Sequence, residues 1–415
     1  MRRTLPVFLF LLSSSLFAQT STNAAAPGAT NILDCVRSLR DQNGGPCLEA
    51  SSLATSGLLF PYPGIDNTFT APAVVSGGRD NVASGLRSTV GGGDSNIASA
   101  TSATVGGGNS NTASAFNATV GGGNSNTASA TNATVGGGWL NDASVYQATI
   151  SGGYLNTASA SRTTIGGGAY NTASGTRATI GGGANNTASG AFATIGGGYF
   201  NTASGPSATI SGGLANEASG TYATIGGGYL NDAFGQHSFA AGRRARAIHD
   251  GAFVWGDQVN VDKTSSASNQ FNVYASGGTR IFSNSAATTG VTLAAGGGTW
   301  TMVSDRGAKE NFEEVDPQSI LDQVASIPIT TWNYKTQDGS IRHMGPMAQD
   351  FFAAFGLGLG DTTIDTIDPD GVALAAIQGL HAENVALRSR VEELESVREE
   401  LASLKATVAM MAESD

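Results

Sequence analysis

Between positions 75 and 231 the chain repeats itself every 15 residues, and that period constrains the fold more than any other feature. A branched apolar residue recurs at Val75, Val90, Val105, Val120 and Val135, then at Ile150, Ile165, Ile180, Ile195, Ile210 and Ile225. An asparagine recurs in step, from Asn81 and Asn96 to Asn216 and Asn231. Each unit reads approximately A-T-[VI]-[GS]-G-G-x-x-N-x-A-S-x-x-x, too short to enclose a core alone, so successive units must stack and share one. The expectation is a mainly β protein built on a parallel β-solenoid, with one coil per repeat and a rise of about 4.8 Å per coil.

Within a unit, the T-[VI] alternation predicts a short strand with Val or Ile inward and Thr outward. The glycines supply a turn that needs positive φ or close backbone approach. Two readings of the Asn column stand side by side: an amide ladder along the axis, or a turn residue in every coil.

Glycine is 58 of 415 residues, about twice average usage, and the charged fraction of 13% is about half the usual one. Only Arg87, Asp94, Asp142, Arg162, Arg177 and Glu217 carry charge between Asn81 and Asn231, which leaves much of that surface free to pack on another subunit. The net charge of -11 provides no basic surface for nucleic acid or an anionic membrane.

Arg2 and Arg3, the apolar run 5–12 and the small-residue end at Phe17 and Ala18 have the layout of a secretory signal peptide cleaved before Gln19. The run is shorter than the roughly 20 apolar residues a membrane span needs, so no integral membrane segment is expected after cleavage. The expected destination is outside the cytoplasm: the extracellular space or the cell surface, with the periplasm as the alternative. In such a compartment Cys35 and Cys47 are a disulfide candidate, with two free thiols or cross-links between subunits as alternatives. No metal-ligand spacing surrounds them, the acidic stretch Asp361, Asp365, Asp368, Asp370 lacks the spacing of a calcium loop, and no lysine-serine or lysine-threonine pair follows any glycine run. Neither a metal nor a cofactor is expected.

The remaining boundaries follow from composition. After the signal peptide at 1–18 comes an Ala-, Ser- and Thr-rich leader at 19–73, then the solenoid with its cap at 74–250. The cap is expected where the repeat loses its Asn and gains Arg243, Arg244 and Arg246, because the open edge of the last coil must be covered. Residues 251–303 alternate around Phe271, Val273, Ile281, Val291, Leu293 and Trp300 and read as a β-rich stalk. A small α+β domain is expected at 304–376. From 377 to 415 apolar residues at Ile377, Leu380, Leu387, Val391, Leu394, Val397, Leu401, Leu404, Val408 and Met411 form a coiled-coil seam, with Asn384 on it.

Two resemblances add to this reading. The repeat resembles the head of trimeric autotransporter adhesins, which implies β-rolls packed three around an axis. The ordered motifs SDRGAKENF at 304–312, GPMAQDF at 345–351 and DGVALAAIQGL at 370–380 resemble the intramolecular chaperone auto-processing domain that ends phage endosialidase tailspikes and other tail fibres. That resemblance implies a domain that trimerises, guides a β-rich fibre into register and then cuts itself off between Val303 and Ser304, with Ser304 as nucleophile and Lys309 as its base. The family pattern carries an Arg where Gly307 stands here, and a small aliphatic residue where Phe312 stands.

The chemistry is coherent on its own terms. A serine hydroxyl is a weak nucleophile until a neighbouring base takes its proton, and a lysine serves as that base only when neutral, which burial or a nearby cation achieves. Lysine is scarce here, occurring at Lys263, Lys309, Lys335 and Lys405 alone. Arg306 is the candidate nearby cation, Asp305 is assigned to orientation or turn formation, and His343 and Gln349 are candidate supports from the GPMAQ region. The expected function is that of an exported homotrimeric fibre with a chaperone domain acting as a single-turnover serine autoprotease on itself. The alternative is a non-cleaving surface adhesin whose C-terminal domain only trimerises, with Trp139, Tyr154, Tyr199 and Tyr229 as candidate contacts for a surface ligand.

Overall fold

Stacking of the repeats produces three parallel ladders in the computed structural model, which describes residues 66–70 and 72–412. One 14-stranded sheet, here sheet 1, begins with Thr68–Phe69 and Val82–Ala83 and ends with Ala245–Ala247 and Lys263–Thr264. A second 14-stranded sheet, sheet 2, begins with Val74–Val75 and Thr89–Val90 and ends with Phe253–Gly256 and Phe271–Tyr274. Pairing follows the repeat, so Thr134 lies beside Thr119 on one side and Thr149 on the other. A third row of single bridges runs from Arg79 and Asp94 to Leu214 and Tyr229. The expected signal peptide, the disulfide candidate Cys35 and Cys47, and the expected leader up to residue 65 lie outside the described residues.

Each coil buries four side chains, as in Asn126, Ala128, Ala133 and Val135. Three of the four are small or polar, so a coil gains only one large apolar group, worth roughly 1.5–3 kcal/mol. Hydrogen bonding along the axis therefore matters as much as the apolar column. The two readings of asparagine prove to be one arrangement. Asn156 Oδ1 accepts from the Asn171 backbone N–H at 3.0 Å and from Asn171 Nδ2 at 3.1 Å, which is the ladder. Asn156 Nδ2 also donates to the carbonyls of Gly152 at 3.1 Å and Gly168 at 2.9 Å, which is the turn.

The glycine before the bridge row has a backbone reason. Gly168 has φ 88°, and a Cβ there would run into the Gly183 carbonyl oxygen of the next coil. The corners use left-handed residues of other types as well: Ser95 and Ser102 in one coil, Arg162 and Tyr170 in others, all have φ between 56° and 61°. Asn adopts this conformation more readily than other non-glycine residues, as at Asn117 and Asn132, while Ser, Arg and Tyr are held there by the ladders on either side.

The solenoid does not stop at residue 250. Strands Phe253–Gly256 and Phe271–Tyr274, read from sequence as stalk, continue sheet 2, and Lys263–Thr264 closes sheet 1. The repeat signature fades there because the Asn column ends, yet the backbone ladder needs only extended chain. Lys263 caps the interior instead. Its side chain is 3% exposed, and its Nζ donates to the carbonyls of Arg243 at 3.3 Å and Asp257 at 3.2 Å, and pairs with Asp257 Oδ1 at 3.2 Å. Two serine contacts, from the Ser276 side chain and its backbone N–H, hold the Asp257 carboxyl well below the usual carboxylate range, with Val259 N–H and Lys263 adding to the effect.

The chain divides into two compact units, one running to Ile281 and taking in Val291–Thr301, the other formed by Phe282–Gly290 and the chain from Met302 onward. A three-stranded sheet joins Thr279–Phe282, Gly290–Leu293 and Trp300–Met302. The second unit then holds helix α1 (Pro317–Ser326), an antiparallel pair Thr330–Trp332 and His343–Gly345, helix α2 (Ala348–Phe355) and helix α3 (Ile367–Ala412). Asp316 caps α1 by accepting from Gln318 N–H, with Pro317 at the first helical position. α3 starts at Ile367, ten residues ahead of the coiled-coil boundary expected at 377. Pro369 does not prevent this, since the first turn needs none of its own N–H groups. The start of α3 packs on α1, with Val372 and Ala376 of the added turns and Gly379 beyond them buried, and Gly379 lies against the Pro317 carbonyl so closely that a Cβ would not fit. Beyond this contact the seam residues Leu387, Val391, Leu394, Val397 and Leu401 are exposed in the single chain.

Candidate functional site

The first residues of the second unit's C-terminal segment form a tight local structure. Val303 N–H donates to the Gly290 carbonyl at 3.0 Å, which anchors the chain just ahead of Ser304. Asp305 then caps a single 3-10 turn, Arg306–Ala308, by accepting from Gly307 N–H at 2.8 Å. The turn closes when Lys309 N–H donates to the Arg306 carbonyl at 3.2 Å. This geometry reverses the chain over five residues, and Lys309 Nζ arrives 2.7 Å from Ser304 Oγ, as the hydrogen-bond donor.

The surroundings of the pair are open. Ser304, Asp305, Arg306 and Lys309 are all exposed in the single chain, and Val303 is half-buried. Arg306 is engaged elsewhere: its guanidinium carbon lies 4.8 Å from the centre of the Phe312 ring, a cation–π contact. The aromatic residue at 312 thus occupies the cation nearest the pair along the chain. Asp305 is engaged by the Gly307 N–H, and no ion pair joins it to Lys309 among the described residues.

His343 and Gln349 sit in other local environments. His343 pairs across the hairpin with Trp332, its ring 4.8 Å from Trp332 and 5.9 Å from Tyr334, and Nε2 lies 3.0 Å from Gln337 Oε1. Gln349 is exposed in the first turn of α2. Two residues absent from the sequence reading hold this hairpin. Gln337 contacts His343, and Arg342 donates to the Thr331 carbonyl at 2.7 Å and to Asn333 Oδ1 at 3.2 Å. Their only sequence signal was a position between two short β segments, which does not distinguish them from loop residues.

Among the described residues no cluster of His, Cys, Asp and Glu has the arrangement of a metal site. Among the same residues no helix is long and apolar enough to cross a membrane. What the arrangement can do chemically is bring a lysine amine onto a serine hydroxyl that adjoins an anchored peptide bond.

None of the curated proteins matches this chain. A family model, described as the chaperone of endosialidase, matches residues 304–356, a segment that begins at the serine of the pair and ends at the close of α2. Residues 304–356 thus match the chaperone of endosialidase, and a parallel β-solenoid of about 14 turns precedes them.

Proposed function

We propose that this is an exported, homotrimeric fibre whose C-terminal domain aligns three solenoids and then severs itself between Val303 and Ser304. The observation that carries the reading is the 2.7 Å contact of Lys309 Nζ with Ser304 Oγ at the first residue of the matched segment. Neutral Lys309 takes the proton of Ser304 Oγ, and Oγ attacks the Val303 carbonyl carbon on its own N-terminal side. The C–O bond forms, the C–N bond breaks, and the proton passes to the Ser304 amine. Water then hydrolyses the ester, leaving a Val303 carboxylate and a free Ser304 with its hydroxyl restored. Attack on the preceding carbonyl needs no movement of a distant group, so the short 3-10 turn supplies all the positioning the base requires.

The pair lies exposed in a single chain, and a lysine becomes neutral most readily when water is removed from it. Packing of a second and third copy around the site supplies that desolvation, which ties cutting to assembly. Assembly has its own need for a guide. Every solenoid coil offers almost the same ladder as the next, so adjacent chains could slip by 15 residues at little cost in contacts. A trimeric foot at one end sets the register, and its removal makes the folded fibre kinetically irreversible.

The test is the intact mass of the full chain beside its Ser304→Ala and Lys309→Ala variants. Fragments ending at Val303 and starting at Ser304 in the wild type only are the expected result, and an unbroken wild-type chain under folding conditions would overturn the cutting step. A second reading, a surface adhesin that keeps its foot, draws on the exposed rings of Trp139, Tyr199 and Tyr229 and on the 4.9 Å contact of Trp139 with Tyr154. It is the reading that remains if no fragments form.

A further inference from the structure

The three ladders of the solenoid differ in one respect that the repeat itself does not require. The outward column of sheet 1 holds Asp142, Glu217, Asp232 and Arg246, and the bridge row begins with Arg79 and Asp94. The outward column of sheet 2 carries no charge in any coil: it is threonine from Thr89 to Thr224 and then Phe239, Phe253 and Phe271. In the last three coils sheet 2 also widens, and a second outward column of Ala241, Trp255 and Val273 appears beside the phenylalanines.

This face is stacked and left in water. The rings of Phe239 and Phe253 lie 4.8 Å apart and those of Phe253 and Phe271 4.7 Å apart, and Phe271 is 76% exposed. On sheet 1 at the same level the outward side chains are tied up in ion pairs, Arg246 with Asp232 at 2.9 Å and with Asp262 at 3.1 Å, and Arg244 with Asp262 at 2.6 Å. A large apolar patch without such partners marks a contact surface.

We infer that the outward face of sheet 2, with Phe271 at its end, is the surface by which copies of this chain pack on one another around a common axis. The inference rests on the homo-oligomer of the proposed function and adds which of the three sides faces inward. The occupant is a second copy because the apolar three-and-four row of α3 is exposed in the single chain, and the proposed fibre, which aligns three solenoids in one register, sets the copies parallel. Parallel copies place each residue at the same height as its own counterpart, so the side nearest the axis meets itself. A column of threonines and stacked phenylalanines tolerates that meeting, whereas Asp232 against Asp232 or Arg246 against Arg246 would bring like charges together with loss of water. Neutrality of the threonine and phenylalanine column over its full length is what self-contact along an axis demands; Arg243, at the end of its strand, lies off that column against the ring of Tyr229, 5.6 Å from its centre.

The test uses the full chain with Cys35→Ser and Cys47→Ser, so that introduced thiols are the only ones. Phe271→Cys and Thr164→Cys place a thiol on sheet 2, and Thr264→Cys places one on sheet 1 in the same coil as Phe271. Thr164→Cys is nearly isosteric and remains informative if loss of the phenylalanine impairs folding. After mild oxidation, linked pairs of chains at either sheet 2 position with single chains at Thr264 are the expected result. Linkage at Thr264, or no linkage anywhere in a protein whose light-scattering mass is a multiple of one chain, overturns the inference and leaves the oligomer standing. A single-chain mass overturns both.

Discussion

Lys309 Nζ donates to Ser304 Oγ at 2.7 Å across one 3-10 turn, so the proposed base and nucleophile meet before any other copy of the chain is present. The hydrogen bond runs in the sense opposite to catalysis, where the amine must accept. What the site lacks in a single chain is cover from water rather than proximity.

Gly307 is the natural place to probe this. It lies inside the turn, and a Cβ there would touch only Asp305, at 3.5 Å. Gly307→Arg therefore folds without strain and adds a cation beside Lys309, favouring the neutral amine. Cutting is expected to accelerate several-fold over wild type, read as the fraction of fragment against time on a denaturing gel.

The Asn column is expected to tolerate no gap. Asn156→Ala leaves the Asn171 N–H and the Gly152 carbonyl without the partners they have here, whereas Asn171 Nδ2 keeps Gly167 and Gly183 and the Gly168 carbonyl keeps the Tyr154 N–H. At about 1–3 kcal/mol for each unsatisfied group, the loss is on the order of 3 kcal/mol or more. Gly168→Ala is expected to be at least as damaging, since it combines φ 88° with a clash on Gly183. Urea midpoints of the full-length variants measure both, and an unchanged midpoint for Asn156→Ala would show the ladder to be dispensable.

Asp142 interrupts a threonine column, between Thr127 and Thr157. Its Oδ1 is buried without a partner, and burial raises its pKa, opposed by a hydrogen bond from Ser144. A raised folded-state value means the proton binds more tightly in the folded chain. The penalty is then full above the folded pKa and gone below the unfolded one. Asp142→Thr should raise stability by about 1 kcal/mol at neutral pH. The gain should shrink as the pH falls through the carboxylate range, in thermal melts taken at several pH values.

Lys263→Met strips the cap of its ion pair and leaves the Arg243 and Asp257 carbonyls unpaired at the end of the core. The last coils should open first, detected as loss of amide protection at 253–274 while the middle coils stay protected. The Asp257 carboxyl is held low, so its stabilisation is present above the unfolded carboxylate pKa and lost as pH falls through the folded one. The wild-type cap is accordingly expected to persist through mild acid and to open only in strong acid.

The sequence by itself determined the solenoid. A 15-residue period with one Val or Ile, one Asn and a glycine turn leaves stacked parallel coils as the way to bury the branched residue, and periodicity is a local property that needs no knowledge of distant contacts. The long helix α3 was legible for the same reason, since the three-and-four spacing of its apolar residues is written along one helix. The pairing of Ser304 with Lys309 came from a family pattern, and its distance came from the turn that Asp305 caps. Tertiary structure alone decided where the solenoid ends, because Lys263 takes over from the Asn column through contacts with residues up to 20 positions away. It alone placed His343 against Trp332 and Gln337, and carried α3 back to Ile367, ahead of the boundary expected at 377, with Gly379 packed on Pro317. Such features depend on which surfaces meet once the chain is folded, and no spacing along the chain records that.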